Sequence, residues 1–132
     1  MKLDLSSFNK AITSFKEAVD KYAEDKNNLF VRDSVIQRFE YTYSLALKMI
    51  KRYLEVNGID NVDTFTFNEM IRTANENGLL LSNLEQWNDF RLKRNITSHT
   101  YDAKKADEII SIVEDFYKEV SFLFDELNKR NG

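Results

Sequence analysis

A chain of 132 residues with neither cysteine nor proline has room for one hydrophobic core, and cannot staple it with disulfides or thiolate-held metals. Its formal net charge of −3 argues against a protein that coats nucleic acid over its whole surface. With no basic-then-apolar leader and no apolar run long enough to span a bilayer, the expectation is a soluble cytoplasmic protein without membrane contact, one domain over residues 1–132.

The first helix is predicted to begin near Asp4 or Ser6, because Leu5, Phe8, Ile12, Phe15, Val19 and Tyr22 recur three and four residues apart. A polar break at Asp25-Lys26-Asn27-Asn28 precedes a second stripe of Val35, Ile36, Phe39, Tyr43, Ala46, Ile50, Tyr53 and Leu54. This stripe predicts a long central helix of about 25 residues, running to Asn57-Gly58. Gly58 to Thr64 reads as a loop. Thr66-Phe67-Asn68-Glu69 has the Ser/Thr-x-x-Glu form in which two side chains satisfy free N–H groups at a helix start, and this short helix should end near Asn77-Gly78. Ser82-Asn83-Leu84-Glu85 repeats that form and should open a fourth helix carrying Leu84, Trp87, Phe90 or Arg91, and Arg94. Asp102 offers a cap for a fifth, along which Ala106, Ile110, Val113, Tyr117, Val120, Phe124 and Leu127 keep helical spacing. Of the three glycines, Gly58 and Gly78 follow asparagines at helix ends, as left-handed caps do, and Gly132 is only the terminus. The expected fold is all-α, an antiparallel bundle of about five helices.

At the junction of the last two predicted helices stands Arg94-Asn95-Ile96-Thr97-Ser98-His99-Thr100-Tyr101, which holds the only histidine of the chain. On a continuous helix Arg94 and His99 would lie about 140° apart, so either the helix ends before His99 or the two converge by another route. An arginine provides a planar charge matched to phosphate oxygens, and a histidine is the side chain suited to moving protons near neutral pH. Together they could cleave RNA without a metal, the histidine helping a 2′-hydroxyl attack the adjacent phosphorus while the arginine stabilises developing charge. One histidine supplies a base or an acid but not both, a shortage that a symmetric dimer would remove. From Arg91 to Lys105 five basic residues (Arg91, Lys93, Arg94, Lys104, Lys105) face one acid, Asp102, a local cationic patch on an acidic body. The plainer alternatives are a solvated patch, a histidine that caps a helix, and a tyrosine that packs a turn. Trp87 at core spacing reads first as core and second as a base-stacking surface. Asp60 and Asp63 read as solvent-facing, and no metal or cofactor is expected.

The spacing R-x4-H-x-Y resembles the signature of the HEPN superfamily, and in particular of HepT-like toxins paired with a minimal nucleotidyltransferase. The segment Arg32 to Lys48 resembles the hallmark helix of the nucleotidyltransferase substrate-binding protein family, and the order of elements from about Leu5 to Leu127 is similar as well. The resemblance implies a HEPN-like bundle forming a homodimer, a cleft at the motif that binds RNA or nucleotide, and a separate nucleotidyltransferase as partner. It places Arg94 and His99 in the catalytic positions, if the protein is a ribonuclease at all. Arg94, Asn95 and Tyr101 fall in the substrate-binding positions, and Tyr101 is the residue that would receive AMP and silence the site. Glu40, on the central helix, joins the substrate-binding set as a side chain that could orient Arg94 or His99, although its first reading is a salt bridge at the helix surface or the edge of the core. The family often has glutamate and tryptophan where this chain has Ser44 and Leu47, so those roles are not carried over. The alternative from a different class is a non-catalytic helical adaptor that only binds the nucleotidyltransferase.

Overall fold

The computed structural model describes residues 2–131; Gly132 lies outside them. The described residues form six α-helices and two short 3₁₀ turns, with no strand among them. Helices α1 (Ser6–Glu24) and α2 (Leu29–Val56) form a hairpin across the predicted polar break. Arg38 Nη1 donates to the Ser14 carbonyl at 2.7 Å, and Thr42 Oγ1 to that of Ala11 at 3.4 Å; the opposed numbering is that of antiparallel neighbours. Helix α2 begins earlier than the apolar stripe indicates, because the Asn28 side chain accepts from the Val31 N–H and caps it.

A 3₁₀ turn, Val62–Thr64, interrupts the loop after Gly58. Helix α3 (Phe67–Glu76) carries both bonds of the predicted capping box between Thr66 and Glu69. It closes at Gly78, where φ is +69° and an added Cβ would meet the Arg130 guanidinium at 3.3 Å. Helix α4 (Leu84–Asn95) departs from expectation at its start. Its cap is Asn83, whose side chain accepts from the Gln86 N–H, and not Ser82. The backbone N–H of Ser82 is occupied elsewhere, donating to the Glu119 carboxylate.

The predicted fifth helix is two. Asp102 caps α5 (Ala103–Ile110) as expected, but the chain kinks at Ser111 and Ile112 before α6 (Val113–Arg130). Ser111 Oγ donates to the Glu108 carbonyl at 2.6 Å, and the Ile112 N–H reaches only to the Ile109 carbonyl, the tightened pattern that bends helices at serine. The kink rotates the buried face: Ile109, Ile112, Phe116 and Leu123 lie inside, while Ile110, Tyr117 and Phe124 from the expected stripe are half-buried.

Phe116 occupies the centre of the bundle. Its ring centroid lies 4.8 Å from Phe39, 5.1 Å from Phe90 and 5.8 Å from Phe15, each nearly edge-on. Helices α1, α2, α4 and α6 thus meet at one aromatic cluster, with interactions worth roughly 0.5–1.5 kcal/mol per pair beyond area burial. Trp87 is fully buried against Phe90 and Tyr43, which makes it core and excludes base stacking.

Glu119 is a carboxylate with no solvent exposure, 2.8 Å from the Leu81 N–H and 3.1 Å from the Ser82 N–H. It ties α6 to the loop that launches α4. The buried Trp87 N–H stands near enough to favour its ionised form, though without forming a hydrogen bond of its own. Burial outweighs these donors and raises the Glu119 pKa above its ordinary value of 4.5. The folded state therefore holds this proton more tightly than the unfolded one. The stabilisation from that proton is full below the ordinary value and is lost as pH rises through the raised one. Glutamine does not titrate, so the urea midpoint of wild type should fall relative to that of Glu119→Gln as pH rises above the ordinary carboxylate value; a difference independent of pH would refute this account.

Candidate functional site

Helix α4 stops at Asn95, and this termination shapes the motif. Ile96 leaves helical geometry with φ −108° and ψ 9°, and Thr97–His99 form a 3₁₀ turn. Of the two routes the sequence left open, the helix ends before His99. The Thr97 hydroxyl is 2.9 Å from the Arg94 carbonyl and 2.9 Å from Glu40 Oε2. Its single proton is shared between an unpaired helix-end carbonyl and a carboxylate on α2. Thr97 is buried, so the turn is pinned to the body of the protein at this point.

Glu40 also faces Arg94, with Nη2 3.7 Å from Oε1 and both side chains more than a third exposed. At that length and exposure the pair contributes at most about 1 kcal/mol, and it leaves guanidinium N–H groups free. Glu40 thus makes the salt bridge that was its first reading, with Arg94, and also accepts from Thr97; it makes no hydrogen bond or ion pair with His99 among the described residues.

His99 is half-buried, and its Nδ1 is 3.0 Å from the phenolic oxygen of Tyr101, the rings being edge-on at 5.7 Å. Tyr101 is 83% exposed, so packing is not what holds it; the imidazole is its hydrogen-bond partner. A neutral histidine that uses Nε2 as a base must carry its proton on Nδ1 and donate it to the tyrosine oxygen. Asp102 follows at once and accepts from the Lys104 and Lys105 N–H groups, which fixes the start of α5 immediately beyond the phenol.

Arg94 with Glu40 and His99 with Tyr101 make two adjacent pairs, joined through Thr97; no hydrogen bond links Arg94 to His99 among the described residues. Asn95 is exposed beside Arg94 on the last turn of α4. Among the described residues no cluster of three or more histidine, aspartate or glutamate side chains is placed to hold a metal, and Asp63 is paired with Lys51 at 2.7 Å. No helix is long and apolar enough to cross a membrane.

Sequence reasoning missed two residues that build this site. Thr97 was given no role, although a threonine two positions after a helix end is suited to bonding its last carbonyls. Arg32 is buried at 8% exposure, pairs with Asp33 at 3.0 Å, and donates from Nη2 to the Thr100 carbonyl at 3.1 Å. It thereby ties the first turn of α2 to the backbone between His99 and Tyr101. Arg32→Ala should leave that carbonyl without its donor, lower stability by about 1–3 kcal/mol, and speed amide exchange in residues 99–102 more than in α6. Uniform exchange across the chain would show that Arg32 does not hold the turn.

Comparison with known proteins agrees with this architecture. Residues 3–129 match the profile of the family described as nucleotidyltransferase substrate binding protein like. A Haemophilus influenzae protein named probable ribonuclease HepT is 36% identical, the alignment covering 98% of this chain and 95% of that one. A solved Haemophilus influenzae structure, described as the fold of a substrate binding domain of a nucleotidyltransferase, superposes with a TM-score of 0.85. It is 33% identical, over 95% of this chain and 99% of the other. A Thermus thermophilus crystal structure superposes with a TM-score of 0.74 at 30% identity, over 91% and 98% of the two chains. The helical bundle is thus shared with these relatives, and the chain belongs to the nucleotidyltransferase substrate-binding protein family.

Proposed function

We propose that this protein is a HepT-like ribonuclease that works as a homodimer, and that a separate nucleotidyltransferase silences it by transferring AMP to Tyr101. The observation that carries the reading is the 3.0 Å contact between His99 and an almost fully exposed phenol, one helix end away from a guanidinium with free donors. The name of the Haemophilus relative supports the nuclease. The description of the family supports the transferase partner.

In the cleavage step His99 Nε2 removes the proton of a ribose 2′-hydroxyl, and that oxygen attacks the adjacent phosphorus. The bond to the 5′-oxygen breaks, giving a 2′,3′-cyclic phosphate, and the leaving oxygen takes a proton from the second histidine of the dimer. Arg94 neutralises charge gathering on the non-bridging oxygens. A second copy across a two-fold axis would bring two histidines and two arginines around one cleft. In the silencing step the Tyr101 oxygen attacks the α-phosphorus of ATP, pyrophosphate leaves, and the phenolic proton passes to solvent. The product puts a nucleotide anion on the oxygen that His99 contacts, where it would pair with Arg94 and occupy the place of the RNA phosphate.

Incubated with a mixed tRNA pool in chelator, wild type should cleave, and His99→Ala and Arg94→Ala should each lose about 10²–10⁴-fold in rate with unchanged melting temperature. Addition of the partner transferase and ATP should add AMP to wild type and none to Tyr101→Phe by intact mass. Wild type that leaves RNA intact under these conditions would move the protein to a binding subunit or adaptor of the transferase.

A further inference from the structure

The cationic segment from Arg91 to Lys105 is not uniform once folded. Lys93 is engaged by Asp89 at 2.7 Å with only 19% of its side chain exposed. Arg94 has Glu40. Arg91, three residues before Arg94 on the same helix, has no carboxylate within ion-pair reach among the described residues. Its guanidinium lies instead over the face of Phe67, with the central carbon 4.8 Å from the ring centroid. Phe67 is the first residue of α3, so a second element anchors this side chain at the edge of the motif.

Arg91 and Arg94 stand one turn apart on α4, like charges that repel, and they set two guanidinium groups against one carboxylate. Both arginines act on the same buried phenol: their charge pulls against the burial that pushes Tyr43 up to about 12. That common neighbour places them on one side of α4. Asn95, four residues beyond Arg91 and next to Arg94, is exposed on the same last turn. Side chains three and four residues apart on a helix stand about 5–6 Å apart at Cβ, comparable to the step between neighbouring phosphates of a single strand.

We infer that Arg91, pre-oriented on Phe67, is a second phosphate-binding residue that takes the phosphate next to the one held by Arg94, so that the end of α4 grips two consecutive phosphates of single-stranded RNA. This rests on the proposed reading of the motif as an RNA site and adds a subsite to it. The stacked geometry matters because a guanidinium fixed on an aromatic face has already lost the rotamer freedom that binding would otherwise remove.

The test is binding of a fluorescent 2′-O-methyl oligonucleotide, which this chemistry cannot cleave, measured over a salt series. Arg91→Ala should weaken binding about tenfold and reduce the slope of log K against log salt by roughly 0.7, the loss of one phosphate contact on a single strand. Arg91→Lys should restore the slope, and Phe67→Leu should keep it while lowering affinity. Equal slopes for wild type and Arg91→Ala would overturn the subsite even if wild-type protein cleaves RNA. A drop in the slope would uphold the subsite even if no cleavage were seen, so its fate is separable from that of the nuclease. No binding by wild type at low salt would overturn the subsite and the RNA reading together. A lower melting temperature for Arg91→Ala with an unchanged slope would assign Arg91 to the end of α4 alone.

Discussion

The Glu40 carboxylate is the fixed point around which the exposed face is arranged. One oxygen takes the Thr97 hydroxyl and the other faces Arg94, so a single side chain on α2 holds both sides of the place where α4 ends. Had α4 continued, Arg94 and His99 would have pointed about 140° apart. Its termination sends the backbone into a 3₁₀ turn that presents the imidazole at a junction instead. The Thr97 proton, shared with the Arg94 carbonyl, satisfies a group that would otherwise be unpaired at the helix end. The end of the helix and the position of the arginine are therefore one structural decision.

Helix α2 makes that decision possible because its faces have different duties. Val35, Phe39, Tyr43 and Ile50 point inward to the cluster around Phe116 and are almost wholly buried. Arg32 and Glu40, eight residues apart and so about 12 Å along the axis, reach the motif turn at Thr100 and at Thr97. The turn is clamped at two points by a helix that cannot shift without disturbing the aromatic core. Rigid support of this kind is what a pair of side chains needs if it is to hold a reacting group in place. Glu119 does the corresponding work at the other end of α4, where it fixes the loop before Asn83.

Much of this was legible in the sequence. The helical periods, the Thr66 capping box, the Asp102 cap and the asparagine-glycine ends are local signals, and local physics decides them. The early start of α2 was missed because Leu29 and Phe30, though apolar, are 56% and 90% exposed and break the stripe; the Asn28 cap decides it. Ser82 and Asn83 both suit a helix start, and only the distant Glu119 carboxylate, which engages the Ser82 N–H, settles which of them caps. The kink after Ile110 was hidden for a similar reason: the three-and-four spacing runs through it, and the rotated buried face becomes visible only once Phe116 has partners on four helices. Arg94, His99 and Tyr101 stood out through their resemblance to the R-x4-H-x-Y signature, and folding pairs His99 with Tyr101 and Arg94 with Glu40. Arg32 did not stand out, since an arginine near a helix start reads as surface until the carbonyl it reaches is known.

The exposure of Tyr101 bears on why a phenol stands two residues from the histidine. A tyrosine kept for packing would bury its ring, and this one leaves 83% of its surface in water while keeping its oxygen against Nδ1. Under the proposed reading that oxygen has two incompatible duties. It accepts the Nδ1 proton when His99 serves as a base through Nε2, and it is the nucleophile when the transferase delivers AMP. Both duties use the same lone-pair region, so esterification does more than block the site sterically. It replaces a compact acceptor with a bulky anion that binds the neighbouring guanidinium. Accessibility to the partner enzyme and contact with the histidine are then demands on one atom, and an exposed tyrosine on a clamped turn meets both.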